Sequence, residues 1–513
     1  MEQIITYILP NELDNQTFRG KIAEKYSTTF ESQASETHKY YDTFDWSFYK
    51  KNLTLIRVDR ELKLCDINTE ESLEVLEDEG RGAYKFWWDF PEGSLKNRLR
   101  EIQDVRALIK ILDIEKTITT IRILNEDEKT VVRVSIEDLI FFDDDGKRIL
   151  IHLVQIFPIR GYDIACENFI KFMQEIGVQH TIKNPFFAAL EKISKEPGAY
   201  SSKINIQLDP RMMSHLATKE ILKNLLSVMR QNEEGIKDDI DTEFLHDFRV
   251  SVRRTRSALS QIKGVFDPKD KDNFSKKFKN LGDLTNRMRD LDVYLLNEKR
   301  YRGILPDALQ SGLDTFFNRL KLERKKELSE IIKFLNDETY SKFVMSWEIF
   351  LNKQQTLDET ICPKARIPIL NLAKEYIYTR YSKVIKEGRK IDGDTPDEKL
   401  HKLRIQCKKL RYLLEFFASL FPEKSMNNLI KKLKVIQGIL GDFNDYSVQQ
   451  DNLLAVLKNQ DKKQKDYSII AAAMGGLITH LYHQQIEVRQ SFSNAFKDFS
   501  SDENIQLFED LFK

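Results

Sequence analysis

The sequence has few cysteines, no long apolar run and no net charge. Its four cysteines, Cys65, Cys166, Cys362 and Cys407, are scattered without a close pair, which favours buried thiols in a reducing compartment over disulfides. No apolar run approaches the roughly 20 residues of a membrane span, and no basic segment precedes an apolar stretch at the N-terminus, as in a signal peptide. A cytoplasmic location is therefore predicted. The GxxxxGK[ST] loop is also absent, so ATP hydrolysis of that type has no support.

The balanced total charge hides a difference between two parts of the chain. From Arg211 to Lys513 there are 53 Lys and Arg against 44 Asp and Glu, a net charge of +9. The remainder has 28 against 37, a net charge of −9. Such a change of sign predicts separate domains, of which the basic one faces an anionic partner.

The two parts also differ in the periodicity of their apolar residues. Residues 1–195 contain short β-branched and aromatic runs, namely IITYIL, LTLIRV, ELKLCDI, TITTIRI, TVVRVSI and ILIHLVQIF, which predict an antiparallel barrel or curved sheet. Helices are expected there at 99–112 and 162–176. Residues 196–210 are the predicted linker. In 211–513 apolar residues recur every three or four positions, which predicts about eight helices in one or two bundles. The fold class is therefore α+β.

The helical part contains an internal repeat. LHDFRVSVRRTRSAL (245–259) matches LHKLRIQCKKLRYLL (400–414) at an offset of 155. The same offset pairs Lys276, Lys277 and Lys279 with Lys431, Lys432 and Lys434, and Asp290 with Asp445. The repeats are expected at about 211–350 and 364–513.

Each copy begins with an amphipathic helix whose polar side carries cations. At about 100° per residue, Arg249, Arg253 and Arg256 lie within about 80° of His246, and apolar residues lie opposite. The same holds for Arg404, Lys408 and Arg411 around His401. We call His246, Arg249, Arg253 and Arg256 the first basic stripe, and His401, Arg404, Lys408 and Arg411 the second basic stripe.

A solvated helix face is the simplest interpretation of such a stripe. Solvated faces usually mix signs, however, because like charges three or four residues apart repel. These stripes carry one sign, and the pattern occurs twice, so a bound anion is the better explanation. Arginine binds phosphate oxygens in a forked geometry and lysine provides a mobile charge. An extended chain of phosphates suits a charged row better than one compact ligand does.

Other ligands and chemistries have less support in the sequence. Single-stranded nucleic acid usually needs aromatic side chains for its bases, and the stripes have none, although duplex phosphates could still bind. His246 and His401 open the stripes without a nearby nucleophile or metal cluster, and His480 with His483 is only a fragment of a metal site. Asp290 and Asp445 are interpreted as helix caps or as partners of cations.

The helical part resembles the CHAD family, the conserved-histidine α-helical domain. Its H-x-x-R-x-x-x-[RK]-[RK]-x-R signature is met by His246-Arg249-Arg253-Arg254-Arg256 and by His401-Arg404-Lys408-Lys409-Arg411. LGDLTNRMRDLDV and LKVIQGILGDFNDYSV also resemble later segments of its two repeats. The resemblance implies two four-helix bundles related by a pseudo-twofold axis, with both basic faces lining a site for polyphosphate.

The N-terminal part resembles the CYTH triphosphate-tunnel family through YYDTFDWSFYKKNLTLIRVDRELKL and GYDIACENFIKFMQEIGV. That family has an E-x-E-x-K first strand, which reads Glu2-Gln3-Ile4-Ile5-Thr6 here, so the second Glu and the Lys are lost. The later strand at 149–161 has no acidic residue. Because Mg²⁺ needs carboxylate ligands at such a site, we expect a degenerate domain without hydrolase activity. Arg57, Arg60, Lys63 and Arg122 are basic residues that either face a tunnel or lie on a solvated strand face.

The sequence therefore predicts a binding protein for inorganic polyphosphate, with no cofactor, no metal and no membrane contact. The alternatives are a metal-dependent triphosphatase of the tunnel family and a protein that binds nucleic-acid backbones. The predicted polyphosphate-binding residues are His246, Arg249, Arg253, Arg254, Arg256, Lys276, Lys279, His401, Arg404, Lys408, Lys409, Arg411, Lys431 and Lys434.

Overall fold

A computed structural model describes residues 5–10, 12–78, 84–143, 145–181, 184–354, 358–460, 462–463 and 466–513. The chain divides into two compact units, Met1–Ser201 and Ser202–Lys513. This boundary lies inside the segment 196–210. Among the described helices, none has the length and apolar character needed to cross a membrane.

The first unit is built on an antiparallel sheet. Its strands are β1 (Ile5–Ile8), β2 (Ser27–Asp42), β3 (Leu53–Val58), β4 (Glu61–Asp66), β5 (Ser72–Glu77), β6 (Ile109–Leu124), β7 (Thr130–Phe142), β8 (Arg148–Pro158) and β9 (Gln179–Thr181). They are hydrogen-bonded in the order β5-β4-β3-β2-β6-β7-β8-β1-β9. Within the described residues the outer strands β5 and β9 have one neighbour each, so the order is open. An antiparallel sheet was predicted, and it is consistent with the CYTH-like fold that the sequence resembles.

Four helices accompany the sheet. They are α1 (Asn15–Lys25), α2 (Ser94–Gln103), α3 (Asp163–Glu175) and α4 (Pro185–Lys192). The helix predicted at 162–176 is confirmed by α3. The helix predicted at 99–112 is wrong beyond Gln103, because Asp104 has a φ of 50° and β6 begins at Ile109. Residues 104–108 connect α2 to β6, and residues 109–112 of the predicted helix belong to β6.

Both faces of the sheet are covered by apolar side chains. On one face, alternate residues of β7 such as Val134 and Ile136 pack with Phe18 of α1 and Phe169 of α3. On the other face, Phe141 joins a cluster with residues of α4. Since side chains alternate along a strand, β7 contributes apolar residues to two cores.

The second unit is helical. Its helices are α5 (Ser214–Gln231), α6 (Glu233–Lys237), α7 (Thr242–Gln261), α8 (Pro268–Leu284), α9 (Asn286–Leu296), α10 (Glu298–Ile304), α11 (Asp307–Gln310), α12 (Asp314–Leu335), α13 (Glu338–Asn352), α14 (Ile369–Gly388), α15 (Asp397–Phe416), α16 (Glu423–Lys458), α17 (Tyr467–Phe499) and α18 (Asp502–Phe512). The described part of this unit thus has more helices than the eight expected. Several of them are a single turn or two, which periodicity over a long window does not detect.

The offset of 155 residues holds in three dimensions. Helix α7 spans 242–261 and α15 spans 397–416, so both of their ends differ by this offset. The starts of α5 and α14, at 214 and 369, do so as well. The repeats differ after that, because α8 and α9 are separate helices in the first copy whereas α16 is continuous in the second.

Backbone hydrogen bonds relate the two repeats by a local twofold axis. The amide of Ser214 donates to the carbonyl of Ile367 at 2.9 Å, and the amide of Ile369 donates to the carbonyl of Met212 at 2.9 Å. Adding 155 to the first donor gives the second donor, and subtracting 155 from the first acceptor gives the second acceptor. The two bonds are therefore equivalent under exchange of the repeats, as a twofold axis requires.

The helices that carry the basic stripes pack against each other. Their apolar sides are fully buried at residues such as Phe248 and Val252 of α7 and Leu403 and Leu410 of α15, each with 0% exposure. The amphipathic helices predicted from the sequence are confirmed. The side-chain amide of Gln261 also donates to the Lys409 carbonyl at 3.1 Å, directly between the two helices.

A buried ion pair joins the same two helices. Arg254 Nη2 lies 2.9 Å from Glu415 Oε2, and the side chains are 10% and 15% exposed. Arg254 Nη1 also donates to the Ser202 carbonyl at 2.6 Å, and Arg411 Nε lies 3.4 Å from Glu415 Oε1. Because this arginine is buried and its charge is matched, its contribution is to the packing of the two repeats.

This assignment makes Arg254 and its neighbour Arg253 experimentally distinct. Arg254→Ala is expected to lower the free energy of unfolding by about 1.5–3 kcal/mol, the typical value for a hydrogen bond to a charged group. Arg253→Ala, at an exposed position, should change it by less than about 0.5 kcal/mol. Urea unfolding followed by helical circular dichroism measures both. Equal small effects would show that the Arg254–Glu415 pair does not stabilise the contact between the helices.

Candidate functional site

The first basic stripe is held by the helices that follow it. Arg249 Nη1 donates to the Gly282 carbonyl at 3.1 Å and to Thr285 Oγ1 at 2.6 Å, and its Nη2 donates to Asn286 Oδ1 at 2.7 Å. Three acceptors thus fix the Arg249 guanidinium at the break between α8 and α9. Asn286 was missed by the sequence analysis, because a lone asparagine in a polar segment gives no signal of its partner.

Gly282 makes room for another member of this stripe. A Cβ atom at this glycine would lie 2.8 Å from Arg256 Nη1, too close for a nonbonded contact. The Arg256 guanidinium therefore rests directly on the backbone of α8. Arg253 is exposed, and His246 is partly buried near the start of α7.

The second basic stripe has a different set of partners. His401 Nδ1 lies 2.7 Å from Asn444 Oδ1, and Arg404 Nη2 donates to Asp445 Oδ1 at 3.4 Å. Both partners are on α16. A carbonyl oxygen can only accept, so His401 carries its proton on Nδ1 in this contact. Asn444 is a second partner that the sequence analysis did not identify.

The two stripes meet at the local twofold axis. The pKa of Lys408 is lowered to about 8, by burial first and then by Arg404, Arg253 and Arg411, while Asp445 opposes them. Arg253 and Lys408 are separated by 155 residues and are therefore equivalents in the two repeats. Their charges interact and their helices pack against each other, so these two equivalents lie near the axis. One cation of each basic stripe is thus near the contact between α7 and α15.

The first stripe has the same electrostatic character. The pKa of Arg249 is lowered to about 10, by burial first and then by Arg253, Arg289 and Arg256, while Asp290 opposes them. Cations that depress each other's pKa in this way create a strongly positive potential. An anion placed between them would be stabilised by several charges at once.

Two equivalent carboxylates also lie near the axis. Desolvation raises the pKa of Asp290, and Arg249 and Arg287 lower it, while Asp445 raises it again. Asp290 and Asp445 are thus close enough to interact, and each lies beside an arginine of its own repeat. They were interpreted as partners of cations, and the contact of Asp445 with Arg404 agrees with that.

The remaining predicted residues lie around the stripes or away from them. Lys276, Lys279, Lys431 and Lys434 are exposed on α8 and α16, and none makes an ion pair with a described residue. Lys409 lies near another group of cations, Arg380, Lys383 and Lys263. Burial lowers the pKa of Lys409, and these three cations contribute to the same shift. Arg254, the equivalent of Lys409 in the first repeat, is instead paired with Glu415, which it shares with Arg411 of the second basic stripe.

The first unit has a polar cavity of its own, of about 530 Å³, beside β2, β3 and β4. Arg60 and Lys63 line it, together with Glu36, His38 and Glu70. Lys63 is also paired with Glu61 at 2.7 Å. Glu36 is on β2, a strand that was not predicted from the sequence, and Glu70 is in the turn between β4 and β5.

The other two basic residues considered for a tunnel, Arg57 and Arg122, are at least partly buried. Arg57 pairs with the buried Asp78 at 2.6 Å, and Arg122 is partly buried on β6. In the described ranges no group of three or more His, Cys, Asp or Glu could hold a metal ion. Of the first-strand motif, Ile5 and Thr6 lie on β1, whereas Glu2, Gln3 and Ile4 are outside the described residues.

Comparisons with known proteins support the assignment of the helical unit. The family model described as the CHAD domain matches residues 220–454. No curated protein matches the chain.

Three solved structures are similar to parts of this chain. The CHAD domain from the plant Ricinus communis is 22% identical with a TM-score of 0.48, and the match covers 58% of this chain and 96% of that one. PptA from Streptomyces chartreusis is 14% identical with a TM-score of 0.41, covering 56% and 100%. PH1819 protein from Pyrococcus horikoshii OT3 is 15% identical with a TM-score of 0.20, covering 37% and 98%.

None of these superpositions reaches a TM-score of 0.5, so the family model carries the assignment. It spans α7, α15 and most of α16, which are the helices that form and support both basic stripes. The histidine that opens the CHAD signature is also the first residue of each basic stripe. Residues 220–454 of this chain are a CHAD domain.

Proposed function

We propose that the helical unit binds inorganic polyphosphate across both basic stripes. The observation that carries this proposal is the meeting of Arg253 and Lys408 at the local twofold axis, with further cations on either side. Like charges brought together on one surface repel, and an anion that neutralises several of them relieves this repulsion. The CHAD signature adds the expectation that this anion is polyphosphate.

The shape of the charged surface favours a chain over a compact anion. Each stripe follows its helix for about three turns, from His246 to Arg256 and from His401 to Arg411, which at 1.5 Å per residue is roughly 15 Å. A single phosphate reaches only a few of these cations. A linear polyphosphate carries a charge at every unit and contacts both stripes at once.

The surface offers little for nucleobases. Phe248 and Phe417, on the helices that carry the stripes, are fully buried on the apolar sides, so they provide no surface for base stacking. A nucleic acid would be held through its phosphates alone. Competition between polyphosphate and single-stranded DNA of equal charge distinguishes the two, and displacement of bound polyphosphate by equal amounts of DNA would favour the nucleic-acid alternative.

The first prediction of this proposal concerns the two cations at the axis. Arg253→Glu and Lys408→Glu should each weaken binding of long-chain polyphosphate by about 10–100-fold, because a charge-assisted phosphate contact is typically worth about 1.5–3 kcal/mol. The double variant should lose less than the product of the two effects, since both residues contact the same segment of the chain. Isothermal titration at low and moderate salt measures this, and binding should weaken steeply with salt.

Lys342→Glu is the matched control for these variants. Lys342 is exposed on α13 and pairs only with Glu338 among the described residues, so its reversal gives the same change in net charge away from the stripes. It should leave affinity nearly unchanged. Unchanged binding in folded Arg253→Glu and Lys408→Glu, or equal affinity for orthophosphate and a long chain, would rule out the proposed function.

Binding should also be linked to protons through Lys408. Its pKa of about 8 in the free protein is depressed by burial and by neighbouring cations, and a bound polyanion raises it. Binding at pH 8.5 should therefore take up protons, and affinity should fall as the pH rises above 8. Titration calorimetry in two buffers of different ionisation enthalpy measures the uptake.

Lys408→Arg is the control for proton linkage, because arginine keeps its charge at this pH. The variant should bind polyphosphate with much less proton uptake. The sign also applies to folding: a depressed pKa means that the unfolded chain holds its proton longer, so stability should rise between about pH 8 and 10.5. Identical apparent enthalpies in the two buffers would contradict the assignment of Lys408 to the binding surface.

We further propose that the first unit does not hydrolyse triphosphates. The first-strand motif has lost its second Glu and its Lys, and residues 149–161 contain no acidic side chain, so carboxylates that the tunnel family uses to hold Mg²⁺ are lost at these positions. Phosphate release from tripolyphosphate or ATP should stay at background with Mg²⁺ or Mn²⁺. Metal-dependent turnover that disappears in Glu2→Ala or Glu36→Gln would establish the triphosphatase alternative instead.

A further inference from the structure

The two stripes differ at equivalent arginines. Arg249 of the first stripe donates to three acceptors. Arg404, its equivalent in the second stripe, makes one longer contact of 3.4 Å with Asp445. Its Nε is buried without an acceptor among the described residues. A buried donor left in this way costs free energy, and the Arg404 guanidinium has one acceptor where that of Arg249 has three.

The difference arises from the helix that lies beside each arginine. An offset of 155 maps Asn286, which accepts from Arg249, onto Gly441 of α16. It likewise maps Asp283 onto Gly438. The second repeat therefore has two glycines where the first repeat has an acid and an amide, and glycine has no side chain with which to accept from Arg404.

Neither packing nor backbone conformation explains these glycines. Both lie in the interior of the 36-residue helix α16, where glycine is less favourable than alanine. A Cβ atom at either position would meet nothing within 4 Å, so alanine would fit. Neither glycine has a positive φ. The feature that distinguishes the two glycines is the open space beside them, which a side chain would occupy.

This space lies beside the second basic stripe. Asn444 and Asp445, one turn after Gly441, contact His401 and Arg404. Gly438 lies about one turn before Gly441 on the same side of the helix. The backbone of α16 is therefore exposed next to Arg404, and an anion can approach both at short range.

We propose that the second repeat provides the tighter half of the binding surface, where a phosphate group lies against α16 at Gly438 and Gly441 and contacts Arg404 and Lys408. The first repeat binds the chain more weakly, because Asn286 and Thr285 already occupy Arg249. The inference rests on the proposed function and adds an inequality between the two repeats. The ligand is an oxyanion unit of an extended polyanion.

Exchange of the equivalent residues between repeats tests this proposal. Gly441→Asn provides the second stripe with the acceptor that the first has, and should weaken binding of long-chain polyphosphate by about tenfold, the loss of one charge-assisted contact. Asn286→Gly removes an acceptor from Arg249 and should strengthen binding severalfold. Calorimetric titration of the full chain measures both affinities, and circular dichroism verifies folding.

An alanine pair separates binding from helix stability. Gly441→Ala and Gly475→Ala both replace an interior helical glycine whose Cβ would meet nothing, so both should raise the thermal midpoint of unfolding. Gly475 is on α17, a helix that carries neither stripe. Only Gly441→Ala should weaken polyphosphate binding.

The possible failures are distinguishable. If Arg253→Glu weakens binding but Gly441→Asn, Gly441→Ala and Asn286→Gly all leave affinity unchanged, the proposed function stands and the inequality of the repeats is wrong. If Asn286→Gly weakens binding as much as Gly441→Asn does, the two repeats contribute equally and the inference is also wrong. If the unmodified chain does not bind polyphosphate, both proposals fall together.

Discussion

The packing of α7 against α15 brings Arg253 of one repeat near Lys408 of the other. Repulsion between Arg253 and Lys408 raises the free energy of the folded chain. Buried apolar side chains such as Phe248 and Leu410 offset it, since each contributes about 1.5–3 kcal/mol on burial. The Arg254–Glu415 pair adds a bond between the same helices. Cations on one side of the contact are thus held in place by burial and ion pairing on the other.

The acidic residues near this surface neutralise it only in part. Glu415 pairs with Arg254, and it also pairs with Arg411 of the second basic stripe. Asp290 and Asp445 lie beside the arginines near the axis, where they reduce local repulsion. The remaining positive charge is unfavourable for the free protein and favourable for an anionic complex. Like-charge repulsion at these positions therefore lowers the stability of the free protein.

Much of the site could be predicted because a single helix periodicity determines it. The spacing of His246, Arg249, Arg253 and Arg256 requires no knowledge of the fold, and the repeat at 400–414 reinforces it. The contacts of Arg249 with Asn286 and of His401 with Asn444 could not be predicted, because they depend on how α9 and α16 pack against α7 and α15. Gly441 gave no signal either: its meaning depends on the empty space around it and on its equivalent in the other repeat.

Some strands of the sheet were predicted from the sequence, and others were not. Strands with consecutive apolar residues, such as β3 and β7, matched the expected runs because both of their faces are buried. The long strand β2 contains mostly polar residues, so its periodicity gave no indication of a strand, and the acidic residues of the cavity were missed with it. The helix predicted at 99–112 extends too far because apolar residues at 105–112 fit the helical period as well as the strand period.

The exchange of backbone hydrogen bonds between Ser214 and Ile367 and between Ile369 and Met212 has a consequence for biosynthesis. Each repeat requires the start of the other to complete its own first helix, and the two starts are 155 residues apart in the chain. Contacts of such high sequence separation form late and slowly. Neither bond can form during translation until the start of α14 has emerged from the ribosome, so the two repeats are joined here only after both starts have been made.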